Sequence, residues 1–152
     1  MALELSTAGI KVLYATEASV GVRPVSGYTL IPNVKSIPEF NPEPSNLDVT
    51  DLSDEVYKRY IPGLKDVGGS LGLTVNLNTA FKTAWEACVT AYEALEDGKQ
   101  MWFEFQIPNM DSFYFAGIPS ALGFGGAEVD AVLEATAYIS PNGEPVWATA
   151  ST

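Results

Sequence analysis

The sequence contains no histidine. That removes the commonest general base and the commonest metal ligand. A single cysteine, Cys88, leaves no partner for an internal disulfide and fits folding in a reducing compartment. No apolar run approaches the roughly 18 residues that a membrane-spanning helix requires. The opening residues, MALELSTAG, lack the basic-then-apolar order of a cleaved signal, so no membrane partner is expected. Bases are scarce: 8 Lys and Arg face 19 Asp and Glu, a net charge of −11. After Lys99 there are none, while Glu104, Asp111, Glu128, Asp130, Glu134 and Glu144 follow. Such a surface repels nucleic-acid phosphates. Solubility is one sufficient reason for the excess. A surface that must not hold a polyanion is the sharper one.

What is present is a chain able to fold. Of 152 residues 47% are hydrophobic, which suits one domain over residues 1–152 with a real core. The N-terminal third alternates short apolar stretches, Ile10–Tyr14 and Tyr28–Val34, with Gly and Pro. Pro38, Pro42 and Pro44 confine residues 36–46 to an extended surface connection. Leu71, Leu73, Val75 and Leu77 alternate with Gly72, Thr74, Asn76 and Asn78, the period of a half-buried strand.

The period then changes. Phe81, Ala84, Trp85, Cys88, Tyr92 and Leu95 recur at helical spacing, which predicts an amphipathic helix over 79–97. Asn78 or Thr79 caps its start and Gly98 its end. Phe81, Trp85, Cys88, Tyr92 and Leu95 form the packing face, laid across a sheet. Met101, Phe103, Phe105 and Ile107 start a hairpin that turns at residues 108–111 and returns over Ser112–Ile118. Alternation over residues 131–139 marks another strand. Asn142-Gly143 reads as a type I′ hairpin turn before a last strand, Pro145–Thr149. The fold class is mainly β (α+β): an antiparallel sandwich or barrel with one flanking amphipathic helix.

Chemistry finds little footing. Cys88 lies on the apolar stripe of the helix without a base beside it, the setting of a small core residue. VGGSLG and GFGG lack the spacing and the lysine of phosphate-cradling loops. Asp48, Asp51, Asp54 and Glu55 do not follow the spacing of a calcium loop, so no metal or cofactor is expected there. A carboxylate pair for acid-dependent hydrolysis needs a cleft, which a sequence does not locate. A ligand-binding sandwich is the alternative function: Trp102, Tyr114 and Trp147 on strands are the aromatics that would take a sugar or other small ligand.

One stretch asks for another explanation. Residues 51–66, a long polar loop, lead into the strand at Leu71 and carry Asp51, Asp54, Glu55, Tyr57, Lys58, Arg59, Tyr60, Ile61, Lys65 and Asp66. Amphipathic tyrosines on such a segment either anchor a partner or fold back on their own domain.

The stretch LDVTDLSDEVYKRYIPGLKDVGGSLGLTVNLN, the helix TAFKTAWEACVTAYEAL after it, and the ending AEVDAVLEATAYISPNGEPVW together resemble the tail tube proteins of phages, in particular the major tail protein of long-tailed phages that infect Gram-positive hosts. The likeness keeps this order over nearly the whole chain. It implies a non-enzymatic structural protein of the virion with the tail tube fold, folded and assembled in the host cytoplasm. It also implies self-association into six-membered rings that stack into a hollow tube, with tape-measure, tail terminator and baseplate proteins as further partners. DNA passes through such a tube without specific binding. Residues 51–66 become an inter-ring stacking loop, ordered on assembly, with Tyr57, Tyr60 and Ile61 as anchors and Lys58, Arg59 and Lys65 facing acids of the next subunit. Six copies of −11 amount to about −66 per ring. Glu104, Glu134 and Glu144 are the candidate lumen acids, because they fall on the polar sides of predicted strands.

Overall fold

A computed structural model describes residues 9–41, 45–64 and 69–151. Nine strands and one helix occur among them: β1 Lys11–Thr16, β2 Thr29–Ile31, β3 Val34–Ser36, β4 Asn46–Asp48, β5 Tyr60–Pro62, β6 Leu71–Asn76, α1 Thr79–Glu93, β7 Met101–Gln106, β8 Ser112–Pro119 and β9 Glu134–Ala148. Seven strands form one antiparallel sheet in the order β2-β1-β7-β8-β9-β6-β3. Its two edge strands, β2 and β3, are separated in the chain only by Pro32 and Asn33. Asn33 takes φ 63, so the chain turns sharply there and the sheet nearly closes on itself. The fold is therefore a barrel-like antiparallel sheet with a single helix.

Strand β9 makes this curvature. Its first half, up to Ile139, pairs with β6, and from Ile139 onward it pairs with β8. Ile139 faces Leu71 on one side and Pro119 on the other. Asn142-Gly143, read above as a hairpin turn, is corrected here: the strand runs through it. Ala116 pairs with Asn142 and Tyr114 with Val146, so Gly143, Glu144 and Pro145 bulge out opposite Phe115 alone. Gly143 adopts φ +87 and Pro145 has no ladder donor to lose, which suits both to a bulge. The eight-residue β8 offers a ladder on both sides of the dipeptide, and that pairing wins over the local turn. Residues 131–133 likewise stay outside the strand, after Asp130 at φ 61.

The core lies between the sheet and α1. Val12 and Tyr14, Leu71, Leu73 and Val75, Met101, Phe103 and Phe105, Phe113 and Phe115 point to it from successive strands. Ala135 and Ala137 join the core from β9. From α1 come Phe81, Trp85 and Cys88, all fully buried, with Tyr92 and Leu95 packed at the margin. Asn78 caps the helix, its side chain accepting from the Phe81 amide at 2.9 Å. Trp85 Nε1 donates to the Ser120 carbonyl at 2.8 Å, fixing the helix to the segment after β8. The helix ends at Glu93, a turn before the expected boundary. Leu95 N–H bonds back to Tyr92 O, and Gly98, at φ +85, serves the following turn instead.

Candidate assembly surface

The segment read as a long loop is a β-hairpin. Asn46 pairs with Pro62, Leu47 with Ile61 and Asp48 with Tyr60, in a two-stranded sheet separate from the barrel. The ladder continues at both ends, where Gly63 N donates to Ser45 O and Val49 N to Arg59 O. The tip holds itself. Asp51 N donates to Asp54 Oδ2 at 3.0 Å, Ser53 N to Asp51 Oδ1 at 2.8 Å, and Arg59 N to Thr50 Oγ1 at 2.8 Å. Arg59 Nε also reaches Asp54 Oδ2 at 2.8 Å, and its terminal nitrogen reaches Asp51 Oδ2 at 3.2 Å. Hydrogen bonds from Ser53 hold the Asp51 carboxyl below the usual range, and those from the Asp51 amide and Arg59 do the same for Asp54. Arg59 thus spends its charge inside the arm, where the sequence reading had aimed it at a neighbour.

The apolar side chains of this arm do not fold back. Tyr57 is 82% exposed, Tyr60 54% and Ile61 47%. Leu52 at 104%, Val56 at 80% and Leu64 at 93% are as exposed or more so. Sequence reading passed over these three, although Leu and Val inside a charged segment were the available signal. Glu55 and Lys58 are exposed on the arm as well. Lys65 and Asp66 lie outside the described residues.

Between the arm's base and the barrel lies an open groove of about 1200 Å³. Gly63 and Leu64 form one wall, residues 34–41 another, and the β9 bulge with Glu144 the lip. Its floor is aromatic. Phe113 lies 5.4 Å from Phe40, 5.0 Å from Trp147 and 6.1 Å from Phe105, ring centre to ring centre. No sequence signal marked this groove, because its lining comes from six separate stretches.

The three candidate lumen acids are not brought together. Glu104 is corrected: it is fully buried, covered by the C-terminal residues, and accepts both the amide and the hydroxyl of Ser151. Strand parity placed it away from the core without revealing that a second layer lies there. Glu134, at the start of β9, pairs with Lys35. Glu144 is exposed on the bulge.

The aromatics of the ligand-binding alternative do not form one platform. Tyr114 is fully buried and its hydroxyl donates to Thr149 O at 2.7 Å. Trp102 donates its indole N–H at 2.7 Å to Glu17, a buried carboxylate that also accepts from the Gln100 and Gly21 amides. Only Trp147 faces the groove. Burial pushes the Cys88 thiol up to about 12, which silences it as a nucleophile. Among the described residues no group of three acids or thiols is placed to hold a metal ion.

The described residues form a nearly closed barrel that exposes an apolar arm and an aromatic groove. Residues 2–150 match the family described as phage tail tube protein, TTP. The chain belongs to that family and is a structural, non-enzymatic protein of the phage tail tube. Among solved structures it is similar to a chain of the anti-feeding prophage baseplate, 6-fold symmetrised, with TM-score 0.68, 11% identity and all of both chains covered. It is also similar to a chain from the tail of an empty gene transfer agent particle with C6 symmetry, with TM-score 0.62, 11% identity, and 96% of this chain and 100% of that one covered. The anti-feeding prophage tube-terminating cap follows with TM-score 0.53, 10% identity, and 99% and 95% covered. No curated protein sequence matches the chain.

Proposed function

We propose that six copies of this chain form a ring, that rings stack through the arm into a hollow tube, and that the tube delivers phage DNA into a Gram-positive host from a long-tailed particle. The exposed arm carries this reading. Its apolar side chains have no place in their own barrel, and burying them on a neighbour would contribute roughly 25 cal/mol per Å² of apolar surface. Head-to-tail contacts of this kind do not close, so they yield filaments. Sixfold symmetry in two of the similar assemblies supports the ring size. Their baseplate and cap support baseplate and terminator proteins as partners, beside a tape-measure protein. Assembly takes place in the host cytoplasm, and the finished tube is part of the virion. The net charge of −11 per chain lets DNA slide without sticking, with Glu134 the remaining candidate for the bore.

Electron microscopy of the purified protein at rising concentration tests the reading. Hollow tubes with a regular axial repeat are expected from the wild type. Tyr57→Ala/Tyr60→Ala should stay folded and make none. Long tubes from that double variant would show that Tyr57 and Tyr60 are not the anchors.

A further inference from the structure

The arm needs a receiving surface, and a tube built from one kind of chain must carry both halves of its contact on every copy. The fold supplies a concave, largely apolar surface large enough for it, the groove floored by Phe40, Phe105, Phe113 and Trp147. We propose that this groove is the receptor for the arm tip of a second copy, with Leu52, Val56 and Tyr57 seated on its aromatic floor. The inference rests on the stacked-ring reading and specifies where stacking occurs.

Connectivity excludes the chain's own tip. Gly63 and Leu64, at the arm's base, form a wall of the groove. Tyr57 lies six residues away along the arm and Leu52 eleven, with β5 between them and the base. The ladder runs from Gly63 to Arg59, roughly 13 Å at about 3.3 Å per residue, and Tyr57 lies in the tip beyond it, so the tip points away from that wall. The same projection points the tip toward an adjoining copy. The charges also match. Lys58, beside Tyr57, and Glu144, on the groove lip, form no ion pair among the described residues, so a cation on the tip meets an anion on the lip. Rings of Phe and Trp offer flat apolar faces to Leu, Val and Tyr without demanding buried polar partners.

Crosslinking within assembled protein tests this. One variant carries Glu55→Cys at the tip and a second carries Ser36→Cys on the groove wall, the two differing in tag length. Both leave the apolar anchors intact, and native Cys88 is buried. Mixed, assembled and treated with a flexible bis-thiol reagent, they should give the mixed dimer several-fold above either self-linked dimer. Tubes whose mixed dimer is no more abundant than the self-linked ones would overturn the groove assignment and leave ring stacking standing. Failure of the wild type and of both variants to assemble at any concentration would overturn both readings. A link between Ser36→Cys and Leu5→Cys in dilute monomers would show the groove filled by the same chain, and would overturn the assignment as well.

Discussion

Glu104, fully buried on β7, accepts hydrogen bonds from both the backbone N–H of Ser151, at 3.1 Å, and its hydroxyl. This pair ties the end of the chain to the middle of the sheet. Tyr114 assists by donating to Thr149 O, and the Arg23 guanidinium lies 4.2 Å from the Tyr114 ring centre. Burial, and then the Glu104 carboxylate beside it, push the Tyr114 phenol up to about 12.

Burial raises the Glu104 pKa, but the surrounding hydroxyls and the Ser151 amide outweigh it, and the net position is below the ordinary 4.5. The Ser112 hydroxyl is buried nearby without a hydrogen bond of good geometry, so the Ser151 contacts are the firm ones. A folded pKa below the unfolded one stabilises fully above about 4.5, and this stabilisation is lost as pH falls through the folded value. Glu104→Gln should therefore cost about 1.5–3 kcal/mol at neutral pH, the range for hydrogen bonds to a charged group. The gap from wild type should narrow in acid. Urea unfolding of both proteins at pH 7 and pH 3 measures it, and an unchanged gap would show that charge is not what holds Ser151.

Two glycines separate backbone strain from steric clash. A Cβ at Gly143 meets nothing within 4 Å, but φ is +87, so Gly143→Ala should cost roughly 1–2 kcal/mol through conformation alone. Gly125 has no positive φ, yet a Cβ there would lie 2.6 Å from the Glu134 carbonyl oxygen. Gly125→Ala must move backbone at the start of β9, with a cost on the order of 1–3 kcal/mol. Only the second variant should disturb amide shifts on β6, which pairs with that end of β9.

The bulge at Gly143 also shows where local reading stops. The period-two run of β6 and the helical stripe of α1 were legible because each repeats within one segment, and a half-buried face leaves its period in the sequence. Asn142-Gly143 carries a true local preference for positive φ, but whether that makes a turn or a bulge depends on β8, more than twenty residues earlier. Glu104 was misjudged for a similar reason. Alternation tells which side of a strand a residue takes, and only the fold tells whether that side is covered. The arm was legible as an unusual segment carrying Tyr57, Tyr60 and Ile61, its other exposed apolar residues were passed over, and the groove was not legible at all.

Trp85 joins packing and a single hydrogen bond. Its indole is fully buried, ring centre 5.9 Å from Phe81, and bonds Ser120 O. Trp85→Phe keeps most of the packing and should cost about 1 kcal/mol for the bond. Trp85→Ala opens a cavity and should cost about 3–5 kcal/mol. Cys88 lies on the buried face of the same helix, so in the wild type a thiol reagent should react only as fast as the protein unfolds, and Trp85→Ala should accelerate that reaction steeply. Rapid labelling of the wild type in native buffer would mean that the helix lifts without global unfolding.

The arm makes the opposite kind of prediction, a local effect with no global one. Arg59 bridges Asp51 and Asp54 in solvent, where such pairs contribute little to overall stability. Arg59→Ala should therefore leave the urea midpoint of the barrel unchanged. It should speed hydrogen exchange at the Asp51, Ser53 and Asp54 amides, whose acceptors are the carboxylates and carbonyl that Arg59 gathers. Both carboxyls sit below their ordinary 3.8 in the folded arm, so their contribution is complete above that pH and is lost as pH falls through the lower folded values. Acid should then loosen the wild-type tip to the level of the variant, with the barrel amides still protected. Because the tip presents Leu52, Val56 and Tyr57 from a fixed hairpin, Arg59→Ala should raise the concentration needed for tube growth without abolishing it. Unchanged tip exchange in the variant would mean that the Thr50 and Asp51 turn bonds alone hold the tip.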